Sequence, residues 1–123
     1  MTTLTERSYE SDVLLYWQPF YSVDLVTIAS GADLTPGHVL GKITASGKYQ
    51  SSDPTAVDGS ETAVAVLLDK ADAAYADVAE VRVLTRHATV NGLKLIYDAA
   101  IDDATKRATA RAELAAAGIV TRL

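Results

Sequence analysis

The stretch LTPGHVLGKITASGKY, residues 34–49, decides how this chain is read. Pro36-Gly37 is a turn pair, because Pro presets φ and Gly supplies a positive φ without steric cost. Val39 to Thr44 follows with the aliphatic and β-branched character of a strand. Ser46-Gly47 breaks that strand, and Lys48-Tyr49-Gln50 continues it past the turn. Turn, strand, turn and strand in so short a span point to a β-rich domain.

The same grammar extends outward in both directions. Upstream, Leu25-Val26-Thr27-Ile28 is a short strand, closed off by Gly31. Downstream, SSDPTAVDGS (51–60) places Asp53-Pro54 and Asp58-Gly59 close together and is a loop. Thr62 to Leu68 is an apolar run bounded by turns, the length of a buried strand. Residues 69–80 are rich in Asp and Ala and fit a helical turn or a loop over the sheet. Val81 to Val90 alternates in part and is expected as one strand, ended by the tight-turn pair Asn91-Gly92. Leu93 to Tyr97 fits either a short return strand or one turn of helix.

One helix is expected, from Asp103 to Ala117. Asp102 or Asp103 caps its start, and Gly118 stands where a left-handed C′ residue belongs. Ala104, Ala108, Ala112 and Ala115 share one face with Leu114 beside them, which predicts a small-residue face packed closely on its neighbour. Ile119-Val120 supplies a last short strand. The fold class is therefore α+β, a β-rich domain with one short C-terminal helix.

The N-terminal region differs. Residues 1–12 are polar and without periodicity, as in a flexible arm. Residues 16–22, YWQPFYS, then hold four of the eight aromatic side chains of the chain. Pro19 has no N–H to give to a ladder, so this run is not a central strand. The division expected is an N-terminal arm over 1–22 and a β-rich domain over 23–123.

With 123 residues the chain suits one domain with a modest core. Apolar residues make up 49% but aromatics only 7%, so the core is built of small aliphatics, each burying little, and oligomerisation is a natural supplement. There is no cysteine, which excludes disulfides, thiolate metal sites and thiol nucleophiles. The start lacks the basic and apolar segments of a signal peptide, and no apolar run approaches the ~20 residues of a membrane helix. The net charge is −5, with seven acids and three bases in residues 1–60 and nine acids and eight bases in residues 61–123. Neither half is basic, which argues against direct nucleic-acid binding.

Candidate chemistry is sparse. His38 and His87 lie 49 positions apart, without metal-like partners at i+2 or i+4. Asp102-Asp103 are placed for capping rather than around a substrate. Ser46, Ser51 and Ser52 have no nearby base in the sequence. Asp58-Gly59-Ser60 matches a calcium loop only in composition. The glycines form no phosphate-binding pattern. The expectation is no catalytic residue, no metal, no cofactor, and a binding or structural role.

Beyond composition, the chain resembles a known family. Val26-Thr-Ile-Ala, Gly31, the 34–49 stretch, Asp53-Pro54, DGSETAVAVLL (58–68), RHATVN (86–91) and AELAAAGIVTR (112–122) are similar, in order and spacing, to the head decoration proteins of tailed bacteriophages of the lambda type. SDVLLY and FYSVDLVTIASG upstream fit as well, so the resemblance spans roughly residues 11–122. It implies a β-clip-like fold and a homotrimer that cements the expanded icosahedral head, on the outer surface of the virion, at three-fold and quasi-three-fold positions. The partner implied is the major capsid protein, with no membrane and no direct nucleic-acid contact. The trimer is implied to join after the shell has matured, assembled in the host cytoplasm, and to resist the pressure of packaged DNA. An arm carrying Leu14, Leu15, Tyr16, Trp17, Phe20 and Tyr21 offers large contact area, and three copies on one axis multiply a weak contact. Such an arm is expected to be removable without loss of the fold. A tail or fibre component is the alternative structural role; a small-ligand or hydrolytic domain would rest on the two histidines alone.

Overall fold

The computed structural model describes residues 13–17 and 21–122. Its strands are β1 (Leu14–Tyr16), β2 (Val23–Ile28), β3 (Ala32–Leu34), β4 (Val39–Lys42), β5 (Tyr49–Ser51), β6 (Ala65–Leu67), β7 (Ala71–Ala73), β8 (Val78–Leu84), β9 (Ala88–Asn91) and β10 (Ile119–Arg122), with one α-helix, α1 (Ala104–Ala116).

Strands β2, β5, β4, β6 and β8 close into a small barrel. Alternation along β4 and β6 explains how it is both filled and covered. Leu40, Ala65 and Leu67 point into the barrel with Ile28, Tyr49, Val81 and Val83, whereas Val39, Val66 and Leu68 point outward into a second core. That is why the apolar run ending at Leu68 carries no polar alternation: β6 is buried on both faces. The second core lies between the barrel wall, α1 and a three-stranded sheet of order β1-β9-β10, and holds Val13, Leu84, Val90, Leu114 and Ile119. Strands β3 and β7 form a separate two-stranded ribbon.

The turns of the 34–49 stretch fall as expected. Gly37 has a φ of 97° and Gly47 a φ of 75°. Gly41 is required for a different reason: a Cβ there would sit 2.0 Å from the Ser60 carbonyl oxygen, so the 52–60 loop lies directly against β4.

Four expectations need correction. Val81 to Val90 is not one strand. β8 ends at Leu84, His87 takes a φ of 50°, and β9 continues in the other sheet. The polar side chains of residues 85–87 and 22–24 bind one another there, which draws the chain off the barrel. Asn91-Gly92 does not make a hairpin; the Asn91 side chain accepts from the Leu93 N–H and caps a 3-10 turn over Gly92–Lys94. Residues 69–80 contain β7 and the start of β8 rather than a helical turn. Finally, α1 is capped by Asp103, whose side chain accepts from the Lys106 N–H, but its Ala face is turned the other way. Ala104, Ala108, Ala112 and Ala115 are exposed, and Ala110 and Leu114 are buried. A large Leu at i+4 from a buried Ala fills the space over the sheet, whereas the four-Ala face brings too little area to compete.

Of the arm expected over 1–22, residues 13–17 and 21–22 are described, and they pack on the domain. Leu14 pairs with Val90 and Tyr16 with Thr89, antiparallel, with a bulge between them. Val13 is fully buried, and Leu14 and Trp17 rest against the same core.

Candidate functional site

The β1-β9-β10 sheet has one face on the core and one on solvent. Tyr16, Thr89 and Val120 are aligned across its outer face, since Thr89 is the register partner of both. Beside them the 85–87 turn presents His87. Its ring meets Tyr16 edge-on at 6.1 Å between centroids and Tyr21 edge-on at 5.7 Å. Tyr16, Tyr21 and Val120 are 51%, 58% and 46% exposed, so this is an aromatic cluster open to solvent. It is not a misplaced piece of core.

A polar network holds that cluster in place. The Arg86 guanidinium donates to the Tyr21 carbonyl at 2.6 Å, and grips the Asp24 carboxylate through Nη1 at 3.1 Å and Nη2 at 2.8 Å. It also lies 5.7 Å from the Tyr21 ring centroid, in cation–π range. Thr85 Oγ1 donates to Asp24, and Ser22 Oγ donates to the His87 carbonyl at 2.8 Å. The Arg86 hydrogen bonds, aided by Thr85, hold the Asp24 carboxyl below its usual range against the opposing effect of burial. The turn is closed from below by Gly118, at a φ of 91°, where a Cβ would approach the His87 nitrogen to 3.2 Å.

The six contact residues expected from sequence therefore divide. Leu15, Tyr16 and Tyr21 are exposed, Leu14 and Trp17 are half-buried against the core, and Phe20 lies outside the described residues. Sequence reasoning missed Arg86, His87 and Asp24. Their partners are 61 to 65 positions away, and no local pattern signals such a pairing.

His38 also sits in a polar cluster. The fold brings it to Ser51 (Nε2 to Oγ, 2.8 Å), and Ser51 Oγ donates to Asp98 at 2.9 Å. These are the residue types of a hydrolase triad, but in the wrong order. Ser51 gives its only proton to the carboxylate, so His38 donates to Ser51 and cannot act as its base. Burial keeps His38 below its ordinary value, with Asp98 opposing. The trio ties β4 and β5 to residue 98. Ser46 and Ser52 also serve the backbone: Ser46 Oγ accepts from the Lys48 N–H, and Ser52 Oγ donates to the Ser60 carbonyl. Asp58 likewise accepts from the Ser60 N–H and hydroxyl, and Asp102 pairs with Lys106 one helical turn on. No cluster of three metal-ligating side chains occurs among the described residues, and no helix among them is long and apolar enough to cross a membrane.

The described residues thus form a small β-barrel backed by a sheet beside which an aromatic cluster faces solvent. The family model for bacteriophage lambda head decoration protein D matches residues 3–119, and the chain belongs to that family. It is thus a structural protein of a phage head, with its place in the virion. No curated relative matches the chain.

Proposed function

We propose that this protein is a cement for the expanded icosahedral head, binding the major capsid protein as a homotrimer at three-fold and quasi-three-fold sites and stabilising the shell against packaged DNA. The observation that carries this reading is the exposed cluster of Tyr16, Tyr21 and His87, fixed by Arg86 beside β1. Rigid aromatic anchors bind with little entropy cost, and Tyr and Trp dominate interface energetics.

Within the 1–22 segment the proposal assigns contact to Leu15, Tyr16, Tyr21 and Phe20. Leu14 and Trp17 hold that segment to the domain, their side chains lying on the core. In a trimer the contact is repeated three times, so linkage raises avidity well above the affinity of one copy. Light scattering of the purified protein and co-sedimentation with expanded and unexpanded shells test the reading. A trimer that binds only expanded shells is expected; a monomer that binds neither would overturn it.

A further inference from the structure

The barrel is closed by a weak seam between β2 and β5. Strands β2 and β5 pair in parallel at Ile28 and Tyr49 only, whereas β2 and β8 pair from Val23 to Ile28. The alternation of that second ladder can be worked out. The Thr85 N–H donates to the Ser22 carbonyl, which makes 22/85 a hydrogen-bonded pair. In an antiparallel ladder such pairs alternate with non-bonded ones, so Asp24 and Val26 bond to β8 while Val23 and Leu25 turn N–H and C=O to the other edge. Arg82, opposite Leu25, agrees with this phase: its N–H goes to Asp69 and its carbonyl accepts from Leu68, both away from β2.

The edge that Val23 and Leu25 face is not closed by β5. A groove of about 510 Å³ opens there, lined by β2 from Asp24 to Thr27 and by Lys42, Lys48 and Tyr49. Leu25 stands at it 64% exposed. The charges are unequal in availability. Asp24 is engaged by Arg86 and Thr85, and Lys48 by Asp77. Lys42 lies 6.0 Å from the Tyr49 ring centroid and has no carboxylate within ion-pair distance among the described residues.

A strand edge without a ladder partner among the described residues, an exposed aliphatic side chain and an ammonium in no ion pair, though within Coulombic reach of Asp24, fit one kind of occupant. We infer that the β2 edge accepts an extended, carboxylate-bearing segment of the shell protein as an added strand, with Lys42 taking the carboxylate and Leu25 the flanking apolar side chain. This rests on the cement reading and adds a second, separate contact to it.

Amide exchange by NMR on the free protein tests the edge itself. Val23 and Leu25 should exchange rapidly while Asp24 and Val26 are protected; uniform protection along β2 would overturn the inference. A photo-crosslinking residue at position 25 tests the occupant. With expanded shells it should give an adduct to an acidic peptide of the shell protein, and the same probe at exposed Leu93 should not. Lys42→Glu should weaken shell binding about three- to tenfold at low salt, with the difference shrinking as salt rises. If the wild-type protein binds shells but K42E binds equally and position 25 gives no adduct, or an adduct only to another copy of the chain, the groove inference fails and the cement reading stands. If wild-type protein binds no shell at all, the cement reading fails and takes this partner with it.

Discussion

The barrel and the three-stranded sheet are built on opposite terms. In the barrel each strand has neighbours on both sides, and its interior is aliphatic apart from Tyr49. In the sheet, β1 and β10 each have one strand neighbour among the described residues, β1 is three residues long, and the outer face carries Tyr16 and Val120. The barrel spends its residues on closure. The sheet turns aromatic surface to solvent, which is one condition for binding something else, and the barrel opens only at the β2 seam. β8 belongs to the barrel alone and ends at Leu84, where the Arg86–Asp24 network turns the chain toward β9 of the sheet.

The sharpest way to break this division is to remove the first 22 residues. If β1 were only a grip, the domain would fold without it. Val13 is fully buried, however, and Leu14 and Trp17 cover the same core. Each such side chain contributes up to about 1.5–3 kcal/mol. Deleting 1–22 should therefore cost more than any single core truncation and lower the unfolding midpoint drastically. Thermal unfolding of the truncated and full-length proteins decides it; equal midpoints would make β1 separable from the domain.

Next in size is Leu67→Ala, which hollows the barrel at a fully buried position. A loss of about 2–5 kcal/mol is expected by denaturant unfolding. Shell binding per folded molecule should change little, because Leu67 points into the barrel and is part of neither proposed contact surface.

The barrel was largely legible in the sequence, and of the sheet only β10 was, from Ile119-Val120. Leu25–Ile28, Val39–Thr44 and the apolar run ending at Leu68 announce themselves because burial on one or both faces writes a local pattern. The helix is equally plain from Asp103 and Gly118, although its orientation is not, since four small residues outline a face without deciding which face is buried. The sheet depends on pairings across long separations: Leu14 with Val90, Thr89 with Val120, Arg86 with Asp24. No local pattern encodes them. The contact residues could be nominated only because aromatics are scarce in this chain. That argument could not separate Leu14 and Trp17, which face the core, from Tyr16 and Tyr21, which face out.

That separation is itself testable. Tyr16→Ala and Tyr21→Ala should each leave the unfolding midpoint within a degree or two and weaken shell binding about tenfold or more, since three copies lose the anchor together. Trp17→Ala should do the reverse, lowering the midpoint first. Co-sedimentation and thermal unfolding of the three variants, measured side by side, check the assignment; a Tyr16 variant that unfolds early would return that residue to the core.

The smallest effect distinguishes barrel from sheet by pH. His38 joins β4 to Ser51 on the barrel side, and burial depresses its affinity for a proton below the ordinary value of 6.5. The unfolded chain thus binds this proton more readily than the native one. Stability is complete above pH 6.5 and declines as pH falls below it, until the native histidine is also protonated. The carboxylates act in a lower window. Asp24, held down first by its Arg86 hydrogen bonds, and Asp69, where the Arg82 bonds outweigh the opposing effect of burial, lose their contribution only near and below their ordinary 3.8. His38→Gln keeps a donor for Ser51 and removes the titration. Unfolding midpoints measured from pH 7.5 to pH 5 should slope downward in the wild type and flatten in the variant. An unchanged slope would move the acid sensitivity out of the barrel and onto other groups.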